Sequence, residues 1–317
     1  MKIYGPVPSW RLGNSLGVDL VDAPKGYCKI CPYDCLYCHL GHKGALSLKP
    51  VATEMASEDF DILEKKIDET KPDYVTFSGQ GEPTLNLNLG QAAQRIKKMC
   101  DVPVAVLTNA CFASRKDVRA GLDNCDVVIA KIDAPTQQLF EKINQPASSV
   151  KLADIVDGIK LINTKVCIQT LIFSCGSVTN ADDETLNALL DVYRDINKSR
   201  PIEVLLGTVT RPSDDGGLRP VTSERLSEIA DRITKECGIK ARYFRESEKE
   251  QKNIRRKISP DQLRMEITGL LLRRPCTRDE IISRFDGSDA AIVLDRLAGK
   301  KVLGLKVLDK KKYYVIL

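Results

Sequence analysis

Six short runs rich in Val, Ile and Leu recur between residues 15 and 209, and helical spacing follows each of them. The runs cover 15–21, 74–77, 104–107, 127–132, 166–173 and 203–209. Helices are expected at 57–70, 88–100, 114–122, 151–162, 182–197 and 222–236. Unbroken apolar runs, rather than alternating ones, are what strands covered on both faces require. Strands linked by helical crossovers must run parallel. Six units are too few to close an eight-stranded barrel. The pattern therefore predicts an α/β fold, an open partial (β/α)6 barrel over residues 1–245. Ligands should gather at the C-terminal ends of its strands. Ser57, ahead of Glu58 and Asp59, reads as the N-cap of the first helix.

The pattern changes after residue 245. RESEKEQKNIRRKISP is almost wholly polar, so residues 246–257 read as a linker. Leu263, Ile267, Leu270 and Leu271 then follow helical spacing. Thr277 and Glu280 form a capping box for a helix carrying Ile281, Ile282 and Phe285. Ser288 is a candidate cap for a third helix, with Ala291, Leu294 and Leu297 on one face. Strands at 302–307 and 313–317 flank Asp309, Lys310, Lys311 and Lys312. Three short helices and a hairpin predict a small winged-helix-like domain over 258–317. This tail carries 12 Lys and Arg against 8 Asp and Glu, most of the chain's net +5. That excess invites contact with nucleic acid, although a solvated surface would look the same.

Hydrophobic residues make up 43%, which excludes a disordered chain. No apolar run approaches the roughly 20 residues that span a bilayer, and the N-terminus lacks a signal-peptide core. A cytoplasmic protein with no membrane association is expected. A reducing compartment argues against reading its 11 cysteines as a disulfide framework.

Four of those cysteines lie in GYCKICPYDCLYCHLG, residues 26–41, directly after the first strand. Cys31, Cys35 and Cys38 are spaced C-x3-C-x2-C. An iron–sulfur cluster needs thiolates on one short loop, and three thiolates on four irons leave one iron open. A zinc ribbon would need its paired motifs farther apart. A closed cluster that also uses Cys28 stays possible on spacing alone. Cys100, Cys111, Cys125, Cys167, Cys175, Cys237 and Cys276 form no further C-x2-C pair, which argues against an auxiliary cluster.

The cysteine spacing with Tyr37 before the last cysteine resembles the radical S-adenosylmethionine superfamily. FSGQGEPTL, after the second strand, looks like that superfamily's Gly-Gly-Glu motif, and YGPVPSWRLGNSLGVDL is similar to a subgroup of stand-alone Fe–S oxidoreductases related to its wyosine-synthase and molybdopterin-cofactor branches. The resemblance spans roughly residues 4–245. It implies a [4Fe–4S] cluster on Cys31, Cys35 and Cys38, with S-adenosylmethionine chelated at the open iron and cleaved to a 5′-deoxyadenosyl radical. It implies that Glu82, with Gly79 and Gly81 allowing close approach, receives the cofactor's ammonium group, and that Tyr37 contacts adenine.

Further candidates follow from strand ends. Thr108 and Asn109 end the third strand and are placed to bind ribose or carboxylate. Lys131 and Asp133 share a face of the fourth by period two. A Lys–Asp pair in an apolar strand costs free energy unless it serves a purpose, so both are taken as catalytic. Gln169 and Arg211 are further cofactor-binding candidates. His39 and His42 read as solvated helix positions, with proton transfer as the alternative. The expected partners are a low-potential donor of the ferredoxin or flavodoxin type and a macromolecular substrate held by the tail, with RNA favoured over protein. A glycyl-radical activase and a DNA-binding Fe–S sensor are the competing readings.

Overall fold

The computed structural model describes residues 2–42, 44–245, 259–285 and 287–317. The expected linker lies outside the described residues.

The main sheet has eight strands. β1 (Ile3–Ser9) pairs antiparallel with β2 (Gly13–Val18) and forms one edge. Two short strands, β3 (Lys29–Cys31) and β4 (Gly44–Leu46), pair with each other outside this sheet. The main sheet continues parallel through β5 (Tyr74–Phe77), β6 (Val104–Thr108), β7 (Val127–Lys131) and β8 (Lys165–Leu171). A small sheet holds β9 (Phe173–Cys175), β10 (Val178–Thr179) and β12 (Leu218–Pro220). β11 (Ile202–Gly207) and β13 (Lys240–Tyr243) complete the main sheet. The sheet is open and strongly curled, a partial barrel as the pattern predicted.

All six expected strands are present, with ends that shift by a few residues. Two strands of the main sheet were not anticipated, nor were the short strands β3, β4, β9, β10 and β12. β1 carries two prolines, which fit only an edge. β13 is four residues long and largely polar.

The crossover helices are α1 (Ser57–Thr70), α2 (Leu89–Met99), α3 (Lys116–Leu122), α4 (Gln137–Asn144), α5 (Leu152–Lys160), α6 (Asp183–Ser199) and α7 (Ser223–Cys237). Ser57 is the first helical residue of α1, not its cap. Ala56 is the cap, and its N–H donates to Asp59 Oδ2. Alternate strand residues such as Leu16, Val75, Phe77, Val106 and Val204 pack with helix residues such as Leu63, Ile96 and Ile229. The intervening residues Ala105, Ile129, Cys167 and Leu205 form a second cluster on the inner face. Two apolar faces per strand are why these strands read as unbroken runs.

The tail folds as expected into α8 (Pro260–Leu271), α9 (Arg278–Ile282), α10 (Gly287–Gly299), β14 (Leu303–Leu308) and β15 (Lys311–Ile316). Thr277 and Glu280 make the anticipated capping box. Ser288 lies inside α10 rather than ahead of it, and Ala290 is more deeply buried than Ala291. Only Asp309 and Lys310 form the hairpin turn, both at positive φ, as a two-residue primed turn demands. Lys311 and Lys312 belong to β15. Leu263, Ile267, Leu294 and Leu303 make a core that also takes in Tyr4 of β1.

Candidate active site

The cysteine loop is fastened to the loop after β5 by a backbone bridge. Ile30 N–H donates to Gln80 O at 2.9 Å, and Glu82 N–H donates to Ile30 O at 3.1 Å. A Cβ on Gly81 would lie 1.9 Å from Ile30 O. A Cβ on Gly79 would meet the Asp19 carboxylate at 2.0 Å. Both glycines are therefore demanded by close approach, protein against protein.

Burial and the neighbouring Cys35 push the Cys31 thiol well above its ordinary range. Burial and the adjacent Cys38 push Cys35 to about 12. Thiols crowded this way ionise only against a positive centre. Amide N–H groups reach two of the sulfurs at 3.5 Å, Asn109 Nδ2 to Cys31 and Asn144 Nδ2 to Cys35. Among the described residues no three His, Cys, Asp or Glu side chains close on one point, as ligands of a single metal ion would. A cube offers separate irons to separate thiolates, and three crowded thiols on one loop are a donor set of that kind. Cys28 Sγ instead faces Gly41 O at 3.7 Å. All 11 cysteines are free thiols.

Glu82 is buried and heavily engaged. Its Oε1 accepts from Thr84 N–H at 3.0 Å, Thr84 Oγ1 at 2.6 Å and Thr108 Oγ1 at 2.6 Å. Among the described residues its Oε2 accepts only Asn109 N–H, at 2.8 Å, and keeps a lone pair. Burial raises its pKa against these donors. Thr108 and Asn109 were expected to face a ligand. The structure turns their polar groups onto the protein instead. Thr108 Oγ1 donates to Glu82 and accepts from Ala110 N–H, while Asn109 Oδ1 accepts from Cys111 N–H.

Lys131 and Asp133 meet as anticipated, with Lys131 Nζ 2.9 Å from Asp133 Oδ1. Asp133 Oδ1 also accepts Leu171 N–H, and its Oδ2 accepts the Tyr37 hydroxyl and Asn144 Nδ2. Lys131 Nζ stands 4.7 Å from the Tyr37 ring centre. Tyr37, Asp133, Lys131 and Asn144 thus form one network that touches Cys35. Asn144 carries no signal in its local sequence, because it ends α4, 109 residues along the chain from Cys35.

Two cofactor-binding candidates are occupied otherwise. Arg211 forks onto Glu280 at 2.7 and 3.1 Å and donates to Pro275 O, which anchors the tail. Gln169 Oε1 accepts from Arg11. Neither histidine is a free solvated side chain. His39 Nε2 lies 2.9 Å from Arg273 O, and burial lowers its pKa to about 4. His42 sits between Asp34 and Asp215.

A family model described as the radical SAM superfamily matches residues 27–196, more than half of the chain. The chain belongs to the radical SAM superfamily. Members use a [4Fe–4S] cluster and S-adenosylmethionine and are enzymes that require a reductant and a substrate. This radical SAM chain is 32% identical over 267 residues to a UPF0026 protein of Synechocystis sp., covering 76% of this chain and 95% of that one. It is 27% identical over 298 residues to a protein of Brachyspira hyodysenteriae named GTPase Obg, covering 92% of this chain. It spans only 41% of that relative's length. A solved structure of TYW1 with a lysine-pyruvate adduct bound shares the fold, with a TM-score of 0.53 at 14% identity. That match covers 73% of this chain and 77% of the other. No helix among the described residues is long and apolar enough to cross a membrane.

Proposed function

We propose that Cys31, Cys35 and Cys38 hold the cluster, and that the substrate is a macromolecule, with RNA favoured. The observation that carries the first part is the bridge between Ile30 and Gly81, which sets the cysteine loop against the Gly-Glu loop. When bound, the cluster and S-adenosylmethionine supply a 5′-deoxyadenosyl radical that abstracts hydrogen. The chain's own task is positioning. Asn109 and Asn144 orient two of the thiols. Gly79 and Gly81 let two loops approach without a gap. The remaining lone pair of Glu82 Oε2 suits an ammonium donor. Asp133 holds Tyr37 and Lys131 rigidly beside Cys35.

The tail supports a macromolecular substrate through its hairpin. Lys310, Lys311 and Lys312 are exposed at or beside the turn. Leu305 and Val307 are exposed on the same hairpin, which favours a peptide as the second reading. The electron donor is of the ferredoxin or flavodoxin type, and the setting is cytoplasmic. The tail, residues 258–317, works as a winged-helix-like module on the 1–245 barrel.

Anaerobically reconstituted protein with dithionite should convert S-adenosylmethionine to 5′-deoxyadenosine, and Cys35→Ala should not. Retained conversion in Cys35→Ala would remove the cluster assignment. Incubation with RNA and protein fractions, following deuterium into 5′-deoxyadenosine, identifies the substrate class. Lys310→Glu/Lys312→Glu should lose turnover of RNA while keeping uncoupled cleavage.

A further inference from the structure

The turn between β1 and β2 tucks under the inner face of the sheet. Trp10 and Leu12 pack there with Ala105, Ile129 and Leu205. Trp10 reaches the end of β11, where a Cβ on Gly207 would lie 3.6 Å from Trp10 Cζ2, and its ring meets Phe244 edge-on at 6.2 Å. Arg11, between them, sends its guanidinium to Gln169 Oε1. Its Nε is enclosed and has no hydrogen-bond partner. Among the described residues no carboxylate lies within ion-pair distance of it, whereas Arg211 has Glu280 and Arg273 has Asp19.

A guanidinium placed out of water with one neutral partner is costly. Burial lowers the pKa of Arg11 to about 10, and of its neighbours only the Tyr4 phenol opposes that fall. Gln169 is the register partner of Lys131, so a second cation, itself paired with Asp133 at 2.9 Å, stands one strand away. The residue as a whole is half-buried. A guanidinium with an unused donor and no carboxylate partner is a group that an oxyanion would satisfy.

We propose that Arg11, seated on Gln169 beside Lys131, binds the carboxylate or phosphate group of the molecule from which hydrogen is taken. This rests on the proposed function, that the chain takes hydrogen from a bound substrate, and adds that the substrate reaches the inner face of the barrel. It assigns Gln169 to holding Arg11, and it assigns the N-terminal hairpin, outside the cysteine motif, to substrate recognition.

Trp10 is the single tryptophan of the chain, so its emission reports on this turn alone. The full-length protein is titrated anaerobically with inorganic phosphate in one arm and acetate in the other, at constant ionic strength. A saturable change in Trp10 emission with at least one anion is expected, and the responding arm tells phosphate from carboxylate. Arg11→Gln should weaken that affinity by roughly tenfold or more, as expected when a charge-assisted bond is lost. Arg11→Lys should fall between the two, and its thermal unfolding shows whether the turn survives. No saturable change with either anion, in a sample that still cleaves S-adenosylmethionine, overturns the inference and leaves the radical chemistry intact. Unchanged affinity in a folded Arg11→Gln overturns it as well.

Discussion

Arg273 Nε donates to Asp19 Oδ2 at 2.8 Å, and the two side chains are only 5% and 1% exposed. Arg273 follows α8 of the tail, and Asp19 follows β2. Asp19 Oδ2 also accepts Gln80 N–H at 3.1 Å. One buried carboxylate therefore joins the tail to the Gly-Glu loop.

Removing one partner of a buried pair strands the other charge, at about 3–5 kcal/mol. Arg273→Met should destabilise the chain by that order in urea denaturation. Asp19→Ala should match it and also lower iron retention, because Gln80 loses its anchor. A cost below about 1 kcal/mol for both would show that the pair is not what seats the tail.

Deletion of residues 259–317 should cost more than substrate turnover. It uncovers Tyr4 and leaves Asp19, Arg211 and Lys66 without Arg273, Glu280 and Glu266. The truncated chain should unfold at clearly lower denaturant than the full chain. An unchanged midpoint would make the tail an independent appendage.

Gly81→Ala should dislodge the cysteine loop, since the added methyl would fall on backbone rather than on a side chain that can rotate. Reconstituted iron per chain should drop sharply. Gly26→Ala, with no atom within 4 Å of its Cβ but at φ +88°, is the control for strain without collision, and its iron content should stay near that of the unaltered chain.

Cys28→Ser should keep the iron content and the visible absorbance of the cluster, and Cys38→Ser should lose both. If Cys28→Ser loses iron to the same degree, four thiolates are used and the open iron disappears.

His42 gives a pH signature. Burial disfavours its charge, but the hydrogen bonds that its ring N–H groups donate to Asp34 and Asp215 outweigh that and raise its pKa. The folded state then holds the proton more tightly than the unfolded one. The stabilisation is full below about pH 6.5 and is lost as pH rises through the raised folded value. Thermal midpoints of the unaltered chain should decline over that window, and those of His42→Gln should decline less.

The alternation of apolar runs and helices was enough to predict a parallel, open, curled sheet, because strands covered on both faces leave no other pattern. It was also enough to place the cysteine loop after the first parallel strand. β1 and β13 escaped, since an edge strand needs neither a continuous apolar run nor freedom from proline. Lys131 and Asp133 were found together, because period two is a local rule. Thr108, Asn109 and Arg211 were placed at or after strand ends and Gln169 within a strand, and each has protein partners that the sequence did not name. A strand end fixes where a side chain begins, and distant chain decides what it meets.

The sequence by itself determined the thiols, their spacing and the two loops that come together, because these depend on neighbours along the chain. The tertiary structure alone decided the rest. It set Asn144 on Cys35 across 109 residues and Arg273 on Asp19 across 254. It also set Arg11 on Gln169, with no carboxylate within ion-pair distance among the described residues. Partnerships of buried polar groups are fixed by which surfaces the fold brings into contact, and no local pattern carries that information.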